Sequence, residues 1–272
     1  MAGQVGESAR PLLEQATLEL DAIWSQRLPP DTSLPVILHP LESGTPGSPL
    51  WDSIVDAEEI DEWIDDLGTL ARSAAACGLD PVQALRVGHP FVVEDPVFCG
   101  WFLLGLEEAA RAWEALGDER QCKKLTIRTE MTAEALSDRL WWDEEQIYAG
   151  WDRGRDEGLR VVTAGGLVPL GARAVASHDA ARRALDRHLR PSTSGLWSAC
   201  GISFNPVVAD RHAEAIAWRG NVALPEAQHW AHLGLVRGQR VPDARVLRSQ
   251  LEERILALDF PAAWDPVSGE AA

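Results

Sequence analysis

The 272-residue chain has one tyrosine and only two lysines, whereas it has 12 tryptophans. Its four cysteines are widely spaced and form no Cys-x-x-Cys pair, which argues against a disulfide framework and a zinc site and favours buried free thiols. No apolar run is long enough to cross a bilayer, and no charged-then-apolar leader opens the chain. The sequence therefore predicts a soluble, cytoplasmic protein that has no membrane partner.

Positive charge is also scarce, because 25 Lys and Arg residues face 42 Asp and Glu residues and the formal net charge is −17. A surface this acidic repels a phosphate backbone, which excludes nucleic acid as a partner. The chain lacks a Gly-x-Ser-x-Gly elbow, a phosphate-binding loop and a dinucleotide fingerprint. We therefore expect a small-molecule substrate, apolar or glycosylated, and no cofactor, and we leave the oligomeric state open.

Helical periodicity dominates what is present, and little of the chain alternates with period two. The hydrophobic content of 46% fits a single domain over residues 1–272. The predicted helices are 8–26, 56–77, 96–116, 120–140, 168–177, 177–190, 225–237 and 243–258. Between them lie a loop at 28–53, a loop or short hairpin at 141–156 and an irregular segment at 191–221. The fold class is all-α, and loops of this length are typical of functional sites.

The many tryptophans predict a Trp-lined cavity, because indole faces stack on sugars and other flat or apolar ligands. The predicted substrate-binding residues are Trp51, Trp101, Trp142, Trp151, Trp197, Trp218, His229 and Trp264. Packing in the core is the alternative for each tryptophan. His229 and His232 are three residues apart on one predicted helix, but two histidines by themselves are weak evidence for a metal, and no metal site is predicted.

Residues 39–53 read HPLESGTPGSPLWDS. This stretch resembles the active-site loop of the inverting glycosidases of clan G, above all the family 63 group that includes the mannosylglycerate and glucosylglycerate hydrolases. There the loop reads roughly H-P-W-E-S-G-x-D-N-S-P-x-W-D. Five further segments resemble the same family in the same order, namely 91–98, 138–152, 163–172, 217–222 and 259–270. The resemblance implies an (α/α)6 barrel, and the shorter length of this chain implies a partial, open toroid of paired antiparallel helices.

The two positions at which the family carries its catalytic carboxyls differ in this chain. Pro46 occupies the position of the catalytic acid, and Ala262 occupies that of the base. An inverting glycosidase needs two carboxyl groups about 6.5–9.5 Å apart, one to protonate the leaving oxygen and one to activate water. Proline and alanine transfer no protons, so the resemblance implies a catalytically degenerate site.

Four polar residues near the same motifs remain candidates for chemistry. His39 has the side chain of a general base near neutral pH, and Glu42 and Asp52 lie on the loop where an apolar neighbour such as Trp51 would favour an acid. The planar fork of Arg219 suits an oxyanion. The structural alternatives are a hydrogen-bonded imidazole for His39, a loop-bracing bond for Glu42, a helix cap for Asp52 and a buried ion pair for Arg219.

These observations give a leading hypothesis and two alternatives. In the first, a repurposed enzyme performs general acid-base chemistry on a specialised metabolite such as a polyketide, by dehydration, conjugate addition, cyclisation or isomerisation. In the second, a glycoside hydrolase has moved its carboxyls, with Glu42 or Asp52 as acid and Glu270 as base. In the third, the protein binds a sugar or metabolite without turnover.

Overall fold

The computed structural model describes residues 2–55, 60–190, 195–206, 220, 222–259 and 261–271. Helices dominate this part of the chain. They are α1 (Ala2–Gln26), α2 (Ile60–Ala76), α3 (Pro81–Val87), α4 (Pro96–Ala115), α5 (Glu119–Ala135), α6 (Arg173–Ala176), α7 (Asp179–His188), α8 (Pro225–Arg237) and α9 (Val241–Leu258). Shorter turns of helix cover Pro40–Ser43, Pro49–Trp51, Leu136–Leu140 and Ala164–Gly171.

Aspartate caps start three of these helices. Asp80, Asp95 and Asp118 each accept a hydrogen bond from the backbone N–H three residues later, at 2.9–3.0 Å. Such a bond satisfies one of the donors that a helix start leaves open. Helices α3 and α4 also have proline in their first turn, where a missing N–H costs nothing. The local sequence therefore determines where these helices begin.

The prediction of an all-α chain is corrected by three small antiparallel sheets. One has the order β1-β4-β5, formed by Val93–Glu94, Gly150–Asp152 and Glu157–Leu159. The others pair β2 (Trp141–Trp142) with β3 (Ile147–Tyr148) and β6 (Trp197–Ser198) with β7 (Gly201–Ile202). Segment 141–156, predicted as a loop or hairpin, thus contributes to two hairpins. Each strand is only two or three residues long, which is too short for an alternation of polar and apolar residues to be visible.

Helix boundaries in the sequence were predicted well for some elements and poorly for others. Helices α4 and α8 match the predictions closely, and α9 starts two residues earlier than predicted. Helix α3 was missed, because its seven residues are too few for a periodic pattern. Asp56, the first residue of the helix predicted at 56–77, lies outside the described residues. The predicted helix at 168–177 is a 3-10 helix followed by the short α6, since Pro169 interrupts the α-helical ladder.

Glycines let α4, the 3-10 helix Ala164–Gly171 and α8 pack closely around the largest apolar cluster. A Cβ on Gly100 would lie 2.8 Å from Val168, and one on Gly234 would lie 3.1 Å from Leu170. A Cβ on Gly166 would overlap the carbonyl oxygen of Tyr148. Neighbouring side chains therefore fill the space beside Gly100 and Gly234, and backbone fills the space beside Gly166. Within the described residues no helix is long and apolar enough to cross a membrane.

Gly166→Ala should destabilise the fold by about 2 kcal/mol or more, because the new methyl meets backbone that has no room to move. Gly68→Ala is the matched control, since the nearest atom to its Cβ is the end of the flexible Arg72 side chain at 3.5 Å. In mid-helix it should stabilise the protein by roughly 0.5–1 kcal/mol. Urea unfolding of both variants measures these free energies, and equal midpoints would contradict the packing argument.

Candidate functional site

The loop at residues 39–55 is held by its own hydrogen bonds. The Nδ1 atom of His39 accepts a bond from the Leu41 N–H at 3.1 Å, so Nε2 carries the proton and donates to the carbonyl of Leu67 at 2.9 Å. The Ser43 hydroxyl donates to the Pro40 carbonyl at 2.6 Å. His39 is 7% exposed and caps the short helix Pro40–Ser43. Its two ring nitrogens are committed to backbone, which favours the structural role over the predicted general base.

Glu42 braces the same loop. One carboxylate oxygen forms an ion pair with Arg27, and the other accepts the Leu38 N–H at 2.9 Å. Both side chains are about four-fifths buried, with 19% and 23% of their surfaces exposed. The ion pair connects the loop to the end of α1. Glu42 therefore contributes to loop structure in this arrangement, as the structural alternative anticipated.

Asp52 lies at the C-terminal end of the short helix Pro49–Trp51 and is exposed. The start of the helix that follows, which Asp52 was considered to cap, lies outside the described residues, so that role stays a prediction. Pro46 is half-buried and Ala262 is exposed. Glu270 is also exposed, but its backbone is held, because its carbonyl accepts the Asp265 N–H at 2.8 Å. The carboxyl-bearing candidates Asp52 and Glu270 are thus both open to solvent.

Two of the predicted site residues, Trp218 and Arg219, lie outside the described residues. The described residues on either side of the segment 207–219 are held together, because the Asn205 side chain donates to the carbonyl of Gly220 at 3.1 Å. Ser203 and Trp264 both form β-bridges with Ala223. The predicted roles of Trp218 in substrate binding and of Arg219 in holding an oxyanion stay predictions.

Three of the predicted substrate-binding tryptophans are core residues in this structure. Trp51, Trp197 and Trp264 are 1%, 4% and 0% exposed. Each indole N–H donates to protein, at 2.9 Å to the Thr45 carbonyl, 3.0 Å to Gln250 Oε1 and 2.8 Å to the Cys200 carbonyl respectively. Rings enclosed in this way have no face open to a ligand. The core alternative explains them better than the predicted Trp-lined cavity does.

The other described tryptophans of the predicted set reach solvent. Trp101 on α4 is 42% exposed and stacks on His229 of α8, with ring centroids 6.3 Å apart and an angle of 11°. Trp142 and Trp151 are half-buried. Arg160 lies over the ring of Trp142 at 5.6 Å, and Arg139 lies over that of Trp151 at 5.9 Å. These tryptophans keep ring surface that a ligand can reach.

Two carboxyls that were not among the predicted site residues, Glu94 and Asp95, are fully buried. Burial raises the pKa of Asp95 to about 7, while bonds from the Phe98 and Val97 N–H groups oppose that rise. Burial also raises the pKa of Glu94 to about 7, although the guanidiniums of Arg139 and Arg153 oppose it. Two adjacent acidic residues directly before a proline that starts a helix are the sequence signal for this pair. Both carboxyls can bind or release a proton near neutral pH.

Two open grooves, of about 660 and 730 Å3, flank α5. Trp24, Thr32 and Arg139 help to line the first, and Glu107, Arg173 and His178 help to line the second. No residue of the predicted site lines either groove. Across the described part of the chain, no group of three or more His, Cys, Asp or Glu side chains is placed to hold a metal ion.

A family model for the mannosylglycerate hydrolase MGH1-like glycoside hydrolase domain matches residues 3–271. The chain belongs to this family. Mannosylglycerate hydrolase of Rubrobacter radiotolerans is 27% identical over 277 residues, which cover 92% of this chain and 61% of that protein. This chain therefore spans about three-fifths of the length of that relative.

Solved structures show the same fold. The GH63 mannosylglycerate hydrolase of Thermus thermophilus in complex with glucose superposes with a TM-score of 0.83 at 22% identity, covering 99% of this chain and 66% of that one. The same enzyme in complex with Tris and D-glycerate superposes with a TM-score of 0.80 at 22% identity, covering 98% and 68%. The sequence resemblance to this family is confirmed.

The leading functional hypothesis is wrong. A cyclase or isomerase acting on a polyketide has no counterpart in these comparisons, whereas the matched family and the Rubrobacter relative are glycoside hydrolases. The inference failed because it read the two lost carboxyls as a change of reaction, although the rest of the family pattern extends along nearly the whole chain. The hydrolase alternative is the better supported one.

The raised pKa of Asp95 makes stability depend on pH. The pKa of Asp95 in the folded protein lies above its unfolded value of 3.8, so folding takes up a proton. The stability that this proton uptake contributes is lost as pH rises toward and through 7. The free energy of unfolding should fall between pH 5.5 and 8. Asp95→Asn should reduce that fall by roughly 2 kcal/mol, since asparagine caps helices equally well and does not titrate.

Urea unfolding at the two pH values measures this slope. Asp80→Asn is the control, because Asp80 caps α3 in the same way but is exposed. Equal slopes for Asp95→Asn and the parent protein would show that the buried cap is not the titrating group.

Proposed function

We propose that this protein is a glycoside hydrolase acting on small glycosides of the mannosylglycerate type. The family match over residues 3–271 carries the proposal. The internal bonds of His39, Ser43 and Trp51 support it, because they hold the active-site-like loop in a fixed conformation without the family's own catalytic acid. The chain spans 61% of the Rubrobacter enzyme, so substrate and reaction are proposals for this protein.

Proton transfer then requires carboxyls other than those lost at Pro46 and Ala262. Glu42 is occupied by Arg27 and by the Leu38 N–H, which disfavours it as the acid. Asp52 is on the same loop and exposed, and Glu270 is exposed on a turn that Asp265 fixes by accepting two backbone N–H groups at 2.8 and 2.6 Å. We assign Asp52 as the acid and Glu270 as the base.

A second candidate function is sugar binding without turnover. Pro46 and Ala262 favour it, because neither side chain transfers protons. In that case a binding pocket would be retained while its chemistry is lost. The two functions differ in whether product forms, which makes them separable by one assay.

The assay follows glycerate release from mannosylglycerate and glucosylglycerate by NMR. Asp52→Asn should lower the rate at least 100-fold, because general acid catalysis contributes about 10²–10⁴-fold. Ser53→Ala is the control, since Ser53 is the exposed neighbour of Asp52 and bears no carboxyl. Binding of either glycoside with no release would support the binding protein instead. Release that Asp52→Asn leaves unchanged would remove Asp52 as the acid.

We also propose that the helices pair as an open toroid. Support comes from α4 and α5, which are joined by three residues and pack along their lengths, and from α8 and α9, which do the same.

Free cysteines at all four positions are compatible with the cytoplasmic location that we propose from the sequence.

A further inference from the structure

The turn of the β4-β5 hairpin, residues 153–156, is built on a buried carboxylate. Asp152 is 0% exposed, and its Oδ1 atom accepts the Gly154 N–H at 2.8 Å and the Arg155 N–H at 3.2 Å. An aspartate that accepts backbone N–H groups two and three residues later fixes the turn that follows it. Arg155 therefore lies at a defined place on the tip of the hairpin.

Arg155 reaches from this tip to the loop at 39–55. Its Nη1 atom donates to the Ser53 carbonyl at 2.7 Å, although the two residues are 102 positions apart in the sequence. Its Nε atom lies 3.7 Å from Oδ2 of Asp152. That oxygen is buried and accepts no hydrogen bond from the described residues, so the guanidinium supplies the charge that compensates it. One side chain thus connects the buried aspartate of the turn with the loop.

The bond to Ser53 fixes the loop directly after Asp52. On the other side of Asp52, Trp51 is 1% exposed and its indole N–H donates to the Thr45 carbonyl at 2.9 Å. Asp52 therefore lies between one residue that the core fixes and one residue that Arg155 fixes.

Arg160 provides a contrast on the same hairpin. It is exposed, and its guanidinium lies over the ring of Trp142 at 5.6 Å. Among the described residues no hydrogen bond joins Arg160 to the loop at 39–55. A positive charge on this hairpin is therefore not enough to hold the loop, and the position of Arg155 on the turn decides which arginine does so.

We infer that Arg155 is a positioning residue for Asp52, the carboxyl that we assign as the acid. It acts through the Ser53 peptide group, because that group and the Asp52 side chain belong to one short backbone segment. A displacement of about 1 Å at a catalytic group can lower a rate about 10²-fold, so a bond to the adjoining backbone has a kinetic consequence. The inference rests on the proposed function for its reaction, whereas the hold on the loop is measurable without turnover.

The kinetic test compares Arg155→Met with Arg155→Lys in the glycerate-release assay. Methionine keeps an apolar stem but donates no hydrogen bond, so kcat should fall about tenfold or more while KM changes less than about threefold. Lysine keeps a charged donor and should restore much of the rate. Arg160→Met removes an exposed arginine from the same hairpin and should react like the parent protein. Arg155 is itself 48% exposed on a surface turn, so its replacement leaves the core intact.

Hydrogen exchange of the Ile54 and Val55 amides measures the hold on the loop without substrate. Both N–H groups donate to the Trp51 carbonyl at 2.8 Å, directly after the residue that Arg155 binds. Arg155→Met should speed their exchange about tenfold or more, because the segment loses a charge-assisted hydrogen bond. Arg160→Met should leave it unchanged.

The outcomes separate the positioning role from the proposed function. A lower kcat and faster exchange in Arg155→Met, with neither change in Arg160→Met, support the inference. Unchanged exchange in Arg155→Met, or equal rate losses in the two methionine variants, would overturn it. Faster exchange with an unchanged kcat would overturn the positioning role and leave the hydrolase standing. If the parent protein releases no glycerate, the proposed function fails, and faster exchange in Arg155→Met still supports the hold of Arg155 on the loop.

Discussion

The start of α4 is the constraint on which much of the described structure depends. Two carboxyls in succession, Glu94 and Asp95, are buried there without solvent. One carboxylate oxygen of Asp95 accepts the Phe98 N–H at 2.9 Å, and Glu94 forms ion pairs with the guanidiniums of Arg139 and Arg153. Unpaired, either charge would cost several kcal/mol to bury. The fold must therefore bring the hairpin segment 139–153 against β1.

That requirement connects the helical body with the candidate sites. Ile37 forms a β-bridge with Val93, so the loop at 39–55 starts beside the same strand. Trp151 is opposite Glu94 in the ladder, so the β4-β5 hairpin lies beside the same pair of carboxyls. One buried pair of carboxyls thus sets the relative positions of the loop at 39–55 and of the β4-β5 hairpin. The loop at 39–55 keeps its conformation although Pro46 replaces the family's catalytic acid. The side chains of His39, Ser43 and Trp51 hold it through hydrogen bonds to backbone carbonyls.

Sequence reasoning predicted the helices whose signals are local. The periodic apolar run from Pro96 predicted α4, and the six family-like segments predicted the family, which the comparisons confirm. The same reasoning failed where evidence was indirect. The loss of carboxyls at Pro46 and Ala262 was taken for a new reaction, although absent groups do not identify the chemistry that replaces them. The partial toroid and the single domain stay predictions.

The sequence by itself determined the helix starts, the acidic surface and the family, because caps, charge and motif spacing are properties of neighbouring residues. Tertiary structure decided which tryptophans are core and which reach solvent. Trp51 and Trp151 both precede an aspartate, yet one is 1% exposed and the other is half-buried. It also decided that Glu42 pairs with Arg27 and that Arg160 lies over Gly158. These contacts depend on which segments the fold brings together, and burial and pairing of side chains follow from that alone.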